Sequence, residues 1–468
     1  MTGERETIST PPDRARSALA GTASVALLTA VLWPSPAHAQ LSAGPPTAPG
    51  AAGGVTGSSS DVAPGDGVRL SPTAVMHVGV GAEVGYDSNV FYNDAARVES
   101  AVMNVTPFIS LSNSERGNGD VATLAATGEG ARAYNAVNVS HWFYNIGASL
   151  LYREYLNNDE NVRAQRSFSP SASLALGSGQ GGSLGFTLTD NFVRLEEAPY
   201  VAGDPIIKRD HNIATAQLRV TPGAGRLSFS VEYANGLDIF ENDMLEYGDN
   251  MSHTLTLDAS WRWLPKTSVF LRGHAGVVHY LKETATPRKD SFPLGGQVGL
   301  RGLVTTKLSA LLAVGYESAY YENDKWVTGA GNLAINASLL FRPTPFTSTG
   351  IGYIHGFRNS PIIGDYYDLD GVSLNVSQSI AGRLVLGAEG RYEWRRYQGV
   401  TLNMVPIPRH DHLLLGAARL DYFIQKWFYA GVGYTITFNS SDIDERMPGA
   451  LGADYVKHQV LGRVGITY

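Results

Sequence analysis

The feature that most constrains this chain is an alternation of apolar and polar residues with a period of two, which recurs from residue 71 to the C-terminus. The segment Arg383–Arg395 is one example, and its apolar positions are Leu384, Leu386, Ala388, Tyr392 and Trp394. Because successive side chains of a β-strand point to opposite faces, such a segment has one apolar face and one charged face. The repeated pattern predicts an all-β chain.

Composition excludes several other classes. The 468 residues include no cysteine, which excludes disulfide frameworks, thiolate zinc sites and iron–sulfur clusters. The net charge of −7 argues against nucleic acid as a partner, because phosphate binding requires a basic surface. No nucleophile elbow, phosphate-binding loop or metalloprotease motif is present, so we predict neither enzymatic activity nor a cofactor or bound metal.

The first 39 residues have the features of a secretory signal peptide. Arg14 and Arg16 precede an apolar stretch that ends at Trp33, and a small-residue cleavage signal follows and ends at Ala39. The next segment is rich in Gly, Pro, Ala and Ser, which predicts a flexible tail in the periplasm. We therefore expect a signal peptide at 1–39, a disordered tail at 40–70 and a transmembrane barrel at 71–468.

Alternating strands also occur in soluble antiparallel sheets, but two features favour a barrel in the bacterial outer membrane, in contact with its lipids. The segments reach the length of about 9–11 residues that a tilted strand needs to cross a bilayer. Aromatic residues near the segment ends fit the girdles expected at membrane interfaces; they are Trp261, Trp263, Tyr392, Trp394, Trp427 and Tyr429.

The end of the chain supplies a third feature. Val460, Val464 and Ile466 alternate with other residues and lead to the terminal aromatic Tyr468, although Gly462 interrupts the apolar series. This pattern resembles the C-terminal signal that barrel assembly machinery recognises in outer-membrane proteins. The resemblance implies that this machinery is a partner of the chain.

Short turns alternate with longer polar loops, as expected when the turns are periplasmic and the loops lie outside. Counting strands back from the C-terminus gives about 18, the size at which a barrel encloses an aqueous channel. The segment Asp120–Tyr134 would make the count odd, whereas single-chain bacterial barrels have even counts. We therefore place it in a long periplasmic connection.

Polar residues on the face opposite the apolar one are expected to line the lumen. The candidates carry both signs of charge: Glu83, Asp87, Arg153, Glu232, Asp258, Arg262, Arg272, Arg301, Glu317, Glu389, Arg391, Glu393, Arg395, Arg419, Asp421 and Arg463. In one interpretation these charges pair across strands and stiffen the wall. In the other they form a polar track, in which arginines bind sugar hydroxyls or uronic carboxylates.

The first strand and loop carry a family resemblance. The segment Gly85, Tyr86, Asp87, Ser88, Asn89, Val90 and Phe91 reads GYDSNVF. It resembles outer-membrane β-barrel porins that are found with capsule and exopolysaccharide export systems. The resemblance implies an exit conduit for a secreted polysaccharide, working with a periplasmic polysaccharide export protein.

Two other functions stay open at this point. A general or substrate-specific diffusion porin for small solutes is the first alternative, and a non-conducting adhesin or anchor is the second. From their chemistry alone, Asp87, Ser88 and Asn89 are turn-forming residues, so a structural role for the GYDSNVF element is at least as well supported as ligand binding.

Overall fold

The computed structural model describes residues 67–71, 74–113, 142–178, 182–199, 206–223, 225–282, 289–321, 330–360, 365–398, 401–402, 405–406, 408–443 and 454–468. Within them, one antiparallel sheet of 19 strands closes on itself. One of the 19 is the short strand Val68–Ser71, which leaves 18 barrel strands. They are β1 (Ala74–Asp87), β2 (Ser100–Ser112), β3 (Trp142–Leu156), β4 (Ser167–Ser178), β5 (Leu184–Glu197), β6 (Ile207–Val220), β7 (Leu227–Phe240), β8 (Asn250–Leu264), β9 (Thr267–Tyr280), β10 (Ser291–Leu303), β11 (Leu308–Tyr321), β12 (Ala330–Thr344), β13 (Thr347–Asn359), β14 (Tyr366–Ile380), β15 (Leu384–Gln398), β16 (Arg409–Gln425), β17 (Phe428–Ser441) and β18 (Tyr455–Thr467).

The predicted all-β barrel of about 18 strands is confirmed. Each strand pairs with its neighbours in sequence, and β1 closes the barrel by pairing with β18 from Gly79–Thr467 to Asp87–Gln459. We call this closing pair the seam. Strand β2 pairs directly with β3, so no further strand separates them. The segment Asp120–Tyr134, the signal peptide and residues 40–66 lie outside the described residues.

Short connections such as Pro265–Lys266 lie at one end of the barrel, which we call the turn end, and most of the longer loops lie at the other, the loop end. Two loops contain a helical turn, at Glu160–Arg163 and at Asp243–Gly248. No helix among the described residues is long and apolar enough to cross a membrane.

The predicted boundary between tail and barrel differs slightly from the structure. Val68–Ser71 forms a strand on β1, with Val68 opposite Met76 and Ser71 opposite Ala74, although residues up to 70 were assigned to the tail. The first residues of β1 extend beyond the seam, where they have no partner from β18. The short strand pairs with the backbone groups that would otherwise form an open edge.

The sheet exposes its apolar face and encloses its polar face, which is the reverse of the arrangement in a soluble protein. Large apolar side chains are exposed on the outer face, including Leu257, Leu271 and Val298. Trp261, Trp263, Tyr392, Trp394 and Trp427 are exposed too, as a girdle requires. Tyr429 was wrongly assigned to that girdle. It is 4% exposed and accepts a hydrogen bond from Arg463, because it falls on the inner parity of β17.

Candidate functional site

Ion pairs that span an intervening strand identify the inner face of the barrel. Arg153 of β3 donates to Glu196 of β5 at 2.8 Å, passing over β4. Arg301 of β10 lies 3.2 Å from Asp258 of β8, passing over β9. Side chains on strands separated by a third can meet most readily on the concave side of a curved sheet, so these groups face the lumen.

Most of the predicted lumen residues have partners on neighbouring strands. Asp258 binds Arg272 as well as Arg301, Glu232 accepts from Gln217, and Glu317 accepts from Gln297. Further cross-strand and same-strand pairs are Glu83–Arg463, Asp421–Arg463, Asp87–Lys457, Arg391–Glu393 and Arg395–Glu393. Arg262 and Glu389 are exposed, and Arg419 is half-buried. The transport role assigned to these residues stays a prediction.

Most of a layer of buried charges near the loop end is absent from the predicted lumen residues, which include only its Arg153. Arg209 donates to Glu197 and to Asp238, both at 2.5 Å, and all three side chains are 3% exposed. The polar residues from 196 to 209 predict a loop there, whereas β5 continues to Glu197 and β6 begins at Ile207. Glu197 and Arg209 can be predicted to face the lumen if the alternation of inward and outward positions in the two strands is continued by two or three residues towards the loop end. Arg153–Glu196 and Arg409–Asp411 belong to the same layer.

Exposure changes sharply along the inner face of β15. Glu389 is exposed and the side chain of Arg391 is 46% exposed, whereas the next two inward side chains, Glu393 and Arg395, are 1% and 5% exposed. Tyr397 follows at 3%. Charged wall residues in a wide aqueous lumen keep their water, so along β15 the wall changes from open towards the turn end to packed towards the loop end.

The GYDSNVF element lies at the loop end of the seam. The Asp87 carboxylate, which is fully buried, binds Lys457 Nζ at 2.8 Å and accepts from Gln459 Nε2 at 2.7 Å. Tyr155 of β3 donates to the same carboxylate oxygen at 3.4 Å. Asp87 thus joins the first, third and last strands of the sheet.

The two residues after Asp87 extend the seam beyond the end of β1. Ser88 N–H donates to the His458 carbonyl at 2.9 Å, and His458 N–H donates to Ser88 Oγ at 2.8 Å. The Asn89 side-chain amide donates to the Val456 carbonyl at 3.1 Å. These contacts give the polar part of the motif a structural role at the closing edge.

The loop that follows folds into the barrel mouth. Val90 is fully buried and packs with Val102, Tyr155, Val162 and Leu461, with Phe91 at the margin. Tyr92 packs edge-on against Tyr455 at 5.1 Å, and Ala198 and Ile206, next to β5 and β6, pack against this pair. Lys457 Nζ lies 4.0 Å from the centre of the Tyr92 ring.

The Tyr92 hydroxyl stays neutral in this setting. Burial raises the pKa of Tyr92 above its ordinary value, and the neighbouring Asp87 carboxylate raises it further. The backbone of Tyr92 has a φ of 52°, a left-handed conformation that costs energy for a residue with a side chain. The packing of its ring offsets that cost and holds the loop in the mouth.

Gly85 has a steric reason to be glycine. A Cβ built there would lie 1.8 Å from the Val460 carbonyl oxygen on β18, which no side-chain rotation can relieve. Gly81, two inward positions away on the same strand, has nothing closer than 3.9 Å. The close approach of β1 and β18 therefore depends on the glycine of the motif.

We expect Gly85→Ala to destabilise the folded barrel by about 1–3 kcal/mol, the usual cost of forcing extra volume into a packed site. Urea unfolding in phospholipid micelles, followed by tryptophan fluorescence, measures the change. Gly81→Ala is the matched control and should leave the midpoint nearly unchanged. Equal midpoints for the two variants would contradict the steric explanation.

Comparison with known proteins adds a family match. The model of the family described as "Putative beta-barrel porin 2" matches residues 184–461. The GYDSNVF element lies outside this range, so the match does not test the resemblance noted at residues 85–91. No curated protein matches the chain.

Solved structures with a similar architecture share few residues with this chain. OccAB4 of Acinetobacter baumannii is 12% identical, with a TM-score of 0.41 over 84% of this chain and 98% of its own. OpdL of Pseudomonas aeruginosa is 11% identical, with a TM-score of 0.39 and the same coverage of the two chains. The FrpB iron transporter of Neisseria meningitidis is 8% identical, with a TM-score of 0.40 over 84% of this chain and 81% of its own. These are likenesses of architecture alone.

Proposed function

The chain belongs to the beta-barrel porin family whose model matches residues 184–461, and on this premise we propose that it is an outer-membrane diffusion porin for small polar solutes. The observation that carries the proposal is the change of exposure along the inner face of β15. Along this strand, exposed charges in the turn-end half lead into packed charges in the loop-end half. A pore of this form admits small hydrated molecules and excludes large ones.

The packed half supports a limit on solute size. Its buried ion pairs come from many strands, including Arg153–Glu196, Arg209–Asp238 and Arg409–Asp411. The loop that carries Tyr92 also folds into the mouth from the seam side. Such a layer presents several charged groups to a small solute, while restricting the cross-section open to a polymer.

The predicted role as a polysaccharide exit conduit receives no support from the comparisons. The family description names a porin and no polymer. The diffusion porin, which the sequence left as the alternative, fits the family and the packed mouth better.

Reconstitution tests the proposal directly. The purified chain in a planar bilayer should give discrete current steps, and in liposomes it should admit monosaccharides while excluding long dextrans. An absence of current steps would overturn the pore and favour an anchor. Free passage of long dextrans would overturn the small-solute limit and return support to the polymer conduit.

Charge reversal in the open half is expected to change ion selectivity. Arg391 is partly exposed and pairs with Glu393, so Arg391→Glu adds a second carboxylate at the entrance to the packed half. We expect the ratio of potassium to chloride permeability to rise by about twofold or more, since charged rings set selectivity in pores. Reversal potentials in a salt gradient measure it.

Arg166→Glu supplies the control for that measurement. Arg166 is exposed in the loop between β3 and β4 and undergoes the same change of charge outside the lumen. Its selectivity should match that of the unmodified protein. If both variants changed the permeability ratio equally, the effect would come from the overall charge of the protein rather than from the lumen.

A further inference from the structure

Charged side chains are distributed unevenly between the two ends of the barrel. In the described loops at the loop end, acidic residues outnumber basic ones, as in the loop from Glu241 to Asp249. In the described connections at the turn end, every charged side chain is basic: Arg226, Lys266, Lys307, Arg383 and Lys426. Within the described part of the chain, the turn end is therefore the more positive of the two entrances to the lumen.

Two pairs of basic residues at the turn end lie directly opposite each other on paired strands. Arg262 N–H donates to the Arg226 carbonyl at 2.8 Å, which continues the register of β7 with β8. Arg342 N–H donates to the Lys307 carbonyl at 2.7 Å, which continues the register of β11 with β12. We call Arg226–Arg262 and Lys307–Arg342 the opposed basic pairs. Like charges at directly opposite positions, where Cβ atoms are about 5 Å apart, destabilise a strand pair.

The alternation along the strands places both opposed basic pairs on the inner face. Arg262 is an even number of positions from Asp258, whose ion pair across β9 identifies that face. Lys307 is likewise an even number of positions from the inner carboxylate of Glu317. Arg342 is half-buried and the other three side chains are exposed, so the pairs meet the water of the turn-end mouth.

The opposed basic pairs have no acidic partner among the described residues. Asp258, the one carboxylate on the same strand as Arg262, is already bound to two arginines of β9 and β10. The Arg262 guanidinium extends towards the turn between β6 and β7 instead, because a Cβ built at Gly225 would lie 3.5 Å from its Nη2. Gly225 directly precedes Arg226, so the positive groups of this pair converge on one side of the strand pair.

We propose that each opposed basic pair binds an oxyanion, which makes the turn end a selective entrance for small solutes that carry a phosphate or carboxylate group. This inference rests on the proposed pore. An anion between two cations replaces their repulsion with two attractions, and the guanidinium fork matches the two oxygens of such a group. Arginine and lysine rings favour anions in pores, and the other basic turns raise the local concentration of anions at this end.

Ion selectivity in a planar bilayer tests the proposal. In a potassium chloride gradient, the reversal potential of the unmodified protein should indicate that chloride is more permeant than potassium. We expect Arg226→Gln/Arg262→Gln to lower the ratio of chloride to potassium permeability by about twofold or more, because one of the two opposed basic pairs is lost.

Arg163→Gln/Arg166→Gln is the matched control, because it removes two exposed arginines from the loop between β3 and β4, outside the lumen. Its permeability ratio should equal that of the unmodified protein. Equal ratios for the two double variants would overturn the proposal.

Competing anions identify which oxyanion the pairs prefer. Millimolar inorganic phosphate or succinate should reduce the chloride current of the unmodified protein, and should reduce that of Arg226→Gln/Arg262→Gln less. Block by either anion supports the proposal and assigns the preferred group. Block by neither would overturn it.

Stability provides a readout that does not depend on conduction. A ligand that binds only the folded barrel raises its stability, so phosphate should raise the urea midpoint in neutral detergent micelles more than chloride does at equal ionic strength. The difference should shrink in Arg226→Gln/Arg262→Gln, which corrects for the general effect of phosphate on folded proteins. An absence of current steps with this difference intact would overturn the pore and keep the anion site. Current steps with the same difference in both proteins would overturn the anion site and keep the pore.

Discussion

Asp87→Ala is expected to lower the free energy of unfolding by about 3–5 kcal/mol, because the buried Lys457 ammonium would lose its carboxylate partner. Both side chains lie at the loop end of the seam, with Asp87 at 0% and Lys457 at 5% exposure. Gln459 and Tyr155 would also lose an acceptor. Urea unfolding in phospholipid micelles, with the folded form followed by its heat-dependent gel mobility, measures the loss.

Two further variants separate the buried charge from general damage to the loop. Asp87→Ala/Lys457→Met removes both charges and should recover much of the stability, since a buried ion pair can often be replaced by apolar groups. Arg97→Ala breaks the exposed pair with Asp94 in the same loop and should cost only about 0–1 kcal/mol. If Asp87→Ala cost no more than Arg97→Ala, the pair would not be what stabilises the seam.

The second large effect is expected at Tyr92, where the loop enters the mouth. Tyr92→Ala removes the edge-on contact with Tyr455 and the ring beneath Lys457. It also removes the packing that offsets the energetic cost of the positive φ at this residue. We expect the loop to leave the mouth while the strands stay paired, and single-channel conductance to rise by about twofold as the narrowest section widens.

Tyr92→Phe keeps the ring and should leave conductance unchanged, which makes it the control for Tyr92→Ala. Limited proteolysis gives an independent readout, because residues 88–99 should become cleavable in Tyr92→Ala only. A loop that becomes cleavable without any rise in conductance would show that the narrowest section lies elsewhere in the packed half.

The seam connects stability and permeation in this protein. Asp87, Ser88 and Asn89 hold β1 against β18, and the next residues, Val90 to Tyr92, fill part of the mouth. One short segment therefore closes the barrel and narrows its entrance. A substitution in its first half should affect folding, and one in its second half should affect conduction.

Much of the barrel could be predicted from the residues alone. The alternation along segments such as Arg383–Arg395 assigns each side chain to one of two faces, because a strand has a period of two. Glycines, prolines and polar residues mark the turns, and the alternation of short turns with long loops requires an even number of strands. These are local properties, so the strands, their pairing and the lumen parity of Glu83, Asp258 and Arg463 were all accessible.

The site itself depends on contacts between distant parts of the chain. Neither the pairing of Asp87 with Lys457 nor the packing of Tyr92 on Tyr455 has a local signature, since each joins residues more than 350 positions apart. The same holds for Tyr429, whose inward position depends on the register of β17, and for the opposed basic pairs, which the register of their strands brings together. Where the alternation is regular, sequence alone determined which side chains face the lumen or the lipid. Closure of the sheet decided which of them meet, because strand register and barrel curvature place groups in contact that are remote along the chain.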